Sequence, residues 1–232
     1  MRDLLVVLLT LPTGAVDAAS FLHLGHVFSS VVTGTMVLLG IAAGTHDPGL
    51  ALHCGVALVS YACGVLIGAP IAVRSAGQRA AGSAGPRVTW PPGVTVALAV
   101  EFCVLAAFCV GWELQGGRPR GTGQLVLLAL IAVSMGMQGA AVRQLGQMST
   151  TYLTGTLTGI VAELTTRGRP DGLARSLGVF AALIAGAFVS AIVTAHAPRW
   201  LPAVVLLPLA VVLLLSAGGG RSRALRTLRR NR

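Results

Sequence analysis

The chain has 232 residues, 54% of them hydrophobic and 10% charged, with a mean hydropathy of +0.81. Soluble domains carry roughly 25% charged residues, so a water-soluble fold and a disordered chain are both excluded. The net charge of +10 comes from seventeen arginines against seven acids, with no lysine.

At about 20 residues per span, the length admits roughly six to eight membrane crossings. Eight apolar stretches follow in chain order: 4–22, 27–43, 50–73, 94–112, 125–142, 149–164, 173–195 and 201–216. The first, third, fourth, fifth, seventh and eighth read as transmembrane helices. The first also resembles a signal peptide, with Arg2, an apolar run and a Val16-Asp17-Ala18 site. A related segment recurs in mid-chain, where no signal peptide can stand, so retention is expected. The sixth stretch contains Thr154, Thr156 and Thr158, too many hydroxyls to face lipid without partners. Residues 74–92, rich in Gly, Ala, Ser and Pro, form the one sizeable linker, and 221–232 holds six arginines and no acid.

A shift of 121 aligns residues 17–35 with 138–156, pairing Leu24-Gly25 with Leu145-Gly146 and Thr33-Gly34-Thr35 with Thr154-Gly155-Thr156. Ser29 and Ser30 align with Thr150 and Thr151. The expected architecture is an all-α integral membrane protein of two homologous repeats, with six spans plus two short Thr/Gly-rich segments. The repeats cover 1–115 and 116–218, followed by a basic cytoplasmic tail at 219–232. Asp17 and Thr33 stand eight residues either side of Gly25, as Gln138 and Thr154 do about Gly146. Were the glycines to turn helical hairpins, both pairs would lie about 12 Å from the turn, near the bilayer midplane.

Arginine placement chooses between two topologies. If all eight stretches cross, twelve arginines lie inside and five outside. If the second and sixth dip in and return, Arg2, Arg74, Arg79, Arg87, Arg143, Arg167, Arg169, Arg175 and the six tail arginines lie inside. Only Arg118, Arg120 and Arg199 are then outside. The positive-inside rule prefers the second arrangement, which also inverts one repeat relative to the other and leaves both termini cytoplasmic. The basic tail is expected on anionic lipid, which accounts for the charge without nucleic acid.

The run from Thr13 to Phe21 with Thr33-Gly34-Thr35, and its counterpart from Met135 to Arg143 with Thr154-Gly155-Thr156, resembles the YoaK-like family of bacterial membrane proteins. The resemblance spans nearly the whole chain and implies a multi-span protein of the bacterial inner membrane. Where the family pattern has Thr-Gly-Asn, this chain has Thr35 last, so no amide stands there.

The residues themselves nominate a site. A carboxylate at mid-membrane faces a polar cavity or a partner. Asp17 therefore binds a cation, carries a proton, or is hydrogen-bonded to backbone freed by Pro12 or to a threonine. Gln138, its counterpart, serves only as donor and acceptor. Thr33, Gly34, Thr35, Thr154, Gly155 and Thr156 either break their helices to meet a substrate or allow close packing. Glu101, with Val211 roughly opposite in the other half, is a second proton-coupling candidate. His23 and His26 flank Gly25 without a third ligand nearby, so no metal is expected. Glu113, Glu163 and Arg143 read as interfacial, and the four cysteines as buried packing residues. Gly64 with Gly68, and Gly186 with Ser190, suit close helix packing within or between protomers. No phosphate loop, nucleophile elbow or H-E-x-x-H is present, so ATP-driven transport by this chain alone is not expected. Neither an enzyme nor a cofactor is expected. The expected function is a small secondary transporter of an unidentified small molecule or ion. The alternatives are a channel or a non-transporting partner subunit.

Overall fold

Apolar runs in a bilayer become helices because no water is there to satisfy backbone N–H and C=O groups. A computed structural model describes residues 2–80, 90–145, 153–166 and 172–230. In chain order these form α1 (Arg2–His23), α2 (Val32–Thr45), α3 (Pro48–Ala80), α4 (Pro92–Leu114), α5 (Gly121–Arg143), α6 (Leu153–Thr166), α7 (Leu173–His196), a 3-10 turn at Pro198–Trp200 and α8 (Leu201–Arg230). No strand occurs among the described residues. Helices α1, α3, α4, α5, α7 and α8 are long and apolar enough to cross a membrane. Helices α2 and α6 have 14 residues each, short of the about 20 that a span needs.

One expectation about connections changes. The linker 74–92 is shorter, because α3 stays helical to Ala80 and α4 begins at Pro92; 81–89, with Arg87, lie outside the described residues. The backbone of α8 continues as helix through the basic stretch to Arg230. Gly146, Ser149, Thr150, Thr151, Arg167 and Arg169 also lie outside the described residues.

Two parallel helix pairs organise the bundle. A Cβ on Gly14 of α1 would stand 2.1 Å from the Leu183 carbonyl oxygen of α7, and one on Gly186 would stand 2.0 Å from that of Leu11. The same closeness joins α3 to α5, where a Cβ on Gly64 would stand 2.0 Å from the Val133 carbonyl oxygen and one on Gly136 2.1 Å from that of Tyr61. Backbone against backbone at this range admits no side chain, so packing without a hydrophobic driving force depends on these small residues. Gly64, Gly68, Gly186 and Ser190 thus all pack inside the chain; the Ser190 hydroxyl donates to the Ala15 carbonyl at 2.8 Å. Cys54 and Cys109 are buried, but Cys63 and Cys103 are exposed, against the expectation for all four: they stand on the outward faces of α3 and α4.

Helices α1 and α5, each with 67% of its best apolar window buried, form the centre; α3, α7 and α8 are largely exposed. Large apolar side chains such as Leu66, Ile184 and Leu214 point outward, as suits lipid. The core between is filled by Leu9, Leu98, Leu105, Phe108, Trp112, Leu128 and Ile131.

Contacts at the helix ends fix the directions. Gln124, at the start of α5, donates to the His23 carbonyl at the end of α1, at 2.8 Å. Trp112, at the end of α4, meets the His23 ring edge-on and donates to the Pro198 carbonyl before α8 at 2.8 Å. At the opposite side, Trp90 donates to Thr95 at 2.9 Å, and Arg175 pairs with Asp3 at 3.0 Å. The start of α1 and the end of α8 therefore share one side, called here the Arg2 side. The ends of α3 and α5 and the start of α7 lie there too.

Candidate functional site

The site grows from the turn after α1. Gly25 at φ +99° and His26 at φ 58° reverse the chain. A Cβ on Gly25 would also lie 2.1 Å from the His53 ring of α3, so glycine is required twice over. Residues 27–31 then return towards the bundle centre without forming helix. Val27 is fully buried, and Phe28 stacks on Phe21 with centroids 5.1 Å apart.

Asp17 holds this returning segment. Its Oδ1 accepts the Ser29 N–H at 2.9 Å, the Ser29 hydroxyl at 3.0 Å and the Ser30 N–H at 2.8 Å, and its Oδ2 accepts the Ser30 hydroxyl. Asp17 is 7% exposed, so these four donors replace the water its carboxylate has lost. Non-helical backbone at membrane depth is tolerated only where protein satisfies it, and Asp17 supplies that satisfaction.

Helix α2 starts at the level of this clamp and runs back towards the beginning of α3. Its 14 residues, about 20 Å at 1.5 Å each, cover the drop from Asp17 to Pro48. The second apolar stretch therefore enters and leaves on the His23 side.

This geometry corrects the expected pairing of Asp17 with Thr33. Extended residues advance up to about 3.3 Å each, against 1.5 Å in a helix, so the return leg reaches Asp17 sooner. Ser29 and Ser30 stand opposite the carboxylate, and Thr33 is exposed. The helix break also falls before Thr33-Gly34-Thr35, which is the helical first turn of α2. Thr35 is buried there, its hydroxyl within 2.9 Å of the Phe28 carbonyl and 3.2 Å of the Val31 carbonyl, and Gly34 packs near Val31 and Phe28. In the second half, Thr154, Gly155 and Thr156 are likewise helical in α6; Gly155 is exposed and Thr156 partly buried. Ser29 and Ser30 were missed as site residues, although their alignment with Thr150 and Thr151 was the available signal.

Gln138 does not join Asp17. From α5 it crosses to α1, where Pro12 has removed one helical hydrogen bond. Its Nε2 donates to the Leu9 carbonyl at 3.3 Å, and its Oε1 accepts the Thr13 hydroxyl at 2.8 Å. Thr13 and Asp17 are one turn apart on α1, so the amide bridge and the carboxylate clamp are adjacent on that helix.

Glu101 stands apart on α4. It is completely buried, and neither carboxylate oxygen has a hydrogen-bond partner. Ser134 of α5 is the polar side chain facing it, and its hydroxyl is also unpartnered. Burying an ionised carboxylate without partners costs many kcal/mol, so such a group takes a proton instead. Glu113, Glu163 and Arg143 are exposed near helix ends. No cluster of three or more His, Cys, Asp or Glu exists among the described residues.

Comparison with known proteins places the chain. A family model described as "Protein of unknown function (DUF1275)" matches residues 5–217. The chain belongs to the DUF1275 family. This DUF1275 protein is also 35% identical, over 168 residues, to the UPF0700 transmembrane protein YoaK of Bacillus subtilis (strain 168), covering 72% of this chain and 68% of the relative. No solved structure matches the DUF1275 chain. The resemblance to YoaK-like proteins and the multi-span membrane character both stand on these matches.

Proposed function

We infer that this DUF1275 protein is a small secondary transporter of the bacterial inner membrane, carrying a small polar solute between two inverted repeats. The observation that carries the reading is the returning segment 27–31, whose unwound backbone lies at membrane depth under the Asp17 clamp. Discontinuous helices of this kind mark the binding sites of inverted-repeat transporters.

The helix pairing supports two repeats. A shift of 121 carries α1 onto α5, and one of 122 carries Gly64 of α3 onto Gly186 of α7. The parallel pair α1–α7 then has α5–α3 as its mate, running the opposite way, each closed by glycines against carbonyls. Positive-inside orientation makes the Arg2 side cytoplasmic, with both termini there and the basic end of α8 against anionic lipid.

Transport in this reading is a rocking of α1–α7 against α3–α5. Thr13 and Leu9 with Gln138 form the latch between the two pairs, since their hydrogen bonds cross from α1 to α5. The clamped segment is tied to Asp17 of α1 at its start, while α2 packs along α3. It thereby couples the pairs and offers the first turn of α2 to solute. No covalent chemistry or cofactor enters this reading.

The test starts with thermal-stability screening of the purified chain against metabolite classes. Uptake of the stabilising compounds into vesicles follows. Concentrative uptake that an uncoupler dissipates is the expected result. Uptake that only equilibrates would favour a channel, and a stable complex with a second membrane protein in the absence of any flux would favour a partner subunit. Introduced cysteines at Arg79 and Arg118 should be labelled from opposite sides.

A further inference from the structure

The five other described acids do not share the situation of Glu101. Asp3 pairs with Arg175, Asp17 is clamped by serines, Asp47 accepts the Leu50 N–H at 2.9 Å, Glu113 and Glu163 are exposed, and Asp171 lies outside the described residues. Glu101 alone among the described acids is fully buried without a hydrogen-bond partner.

Its depth is that of the bilayer centre. Glu101 lies nine residues from the start of α4, and Ser134 nine from the end of the antiparallel α5. Both are thus about 14 Å from the Arg2-side helix ends, against a half-thickness of about 15 Å. Leu98 and Leu105 flank Glu101 on its own helix, both fully buried. Three helices pack against α4. From α5 the polar neighbour is Ser134, while Arg143 stands nine residues further on, at the helix end. The titratable or charged residues of α3 are His53, Cys54, Tyr61, Cys63, Arg74 and Arg79, and α8 carries no acid or base between Leu201 and Ser216.

We propose that Glu101, faced by Ser134, is a proton-carrying site: its carboxyl is held as the neutral acid while α4 and α5 are packed and gives its proton to water when that interface opens. Uptake of one proton by the carboxylate reverses the step, and no electrons move. A proton suits the site better than a metal cation, because hard cations take six or more oxygens and these two side chains offer three. As the coupling group, Glu101 deepens the transport reading and rests on it. Asp17, whose oxygens are occupied by four donors, remains a structural clamp.

The experiment treats the purified full chain in lipid vesicles with a hydrophobic carbodiimide, which modifies neutral carboxylic acids, and maps the adduct by mass spectrometry across a pH series. The adduct should form on Glu101 and not on Asp17, falling about tenfold per pH unit above a single midpoint, as one titrating proton requires. The infrared band of a protonated carboxyl should vanish with the same midpoint, and should be missing throughout in Glu101→Gln. The wild-type measurement alone decides the matter should that variant fail to fold. Absence of an adduct at every pH where the chain stays folded overturns the proposal. So does a carboxyl band that neither titrates nor exchanges in heavy water. Concentrative uptake with a silent Glu101 sinks this proposal alone; a titrating Glu101 in vesicles that concentrate nothing upholds the proton site and sinks the transport reading together with the coupling role.

Discussion

Asp17 and Glu101 are both carboxylates in the apolar interior of one bundle, yet their surroundings are opposite. Asp17 receives four donors from a segment that follows it closely in the chain. Glu101 receives none and has one hydroxyl for company. Burial alone therefore does not assign a role to an acid in a membrane. An acid saturated with donors holds backbone in place, whereas one with no donors is cheap only as a neutral group.

The contrast can be broken by mutation. Asp17→Ala leaves two buried N–H groups and two hydroxyls without their acceptor, and should destabilise the folded protein by about 3 kcal/mol or more. Unfolding in graded denaturing detergent measures this, and a loss below about 1 kcal/mol would mean that the clamp is dispensable. Ser30→Ala removes one donor to the carboxylate and should cost about 1.5 kcal/mol, with faster cysteine labelling of the 27–31 segment. Gln138→Leu severs the bridge from α5 to α1; hydrogen bonds between membrane helices average about 0.6 kcal/mol, with a ceiling near 1.7. Glu101→Gln keeps the shape and removes the titrating proton, so stability should move by less than about 1 kcal/mol, in either direction. Equal losses for Asp17→Ala and Glu101→Gln would erase the distinction.

The six spans were legible because each is a long apolar run, and the short length of the second stretch already set it apart. The turn at Gly25 was legible too, as was the packing role of Gly64, Gly68, Gly186 and Ser190. The partner of Asp17 was not. Counting eight residues to Thr33 assumed helix on both legs, but the return leg is unwound, which moves the meeting point to Ser29 and Ser30. Likewise, Thr33-Gly34-Thr35 carries the signature of a break yet forms the turn after it, because Thr35 folds its hydroxyl back onto Phe28. Glu101 could be recognised as a buried acid from its place in an apolar run, but its lack of partners depends on what α5 and α8 bring beside it. Nothing in its own neighbourhood of sequence encodes that.

The spacing of the contacts around α1 also bears on how the chain enters the membrane during synthesis. The donors that satisfy Asp17 follow it by 12 and 13 residues, so they emerge almost at once. The carbonyl of Ala15, two residues earlier, waits for Ser190, 175 residues later, and Thr13 waits 125 residues for Gln138. An inserting α1 thus has its most expensive group supplied with hydrogen bonds locally before the ribosome has made any helix that will finally surround it. Its close backbone contacts form only when α7 arrives, so chains truncated before α7 should keep the Asp17 clamp and still be cleared by membrane quality control.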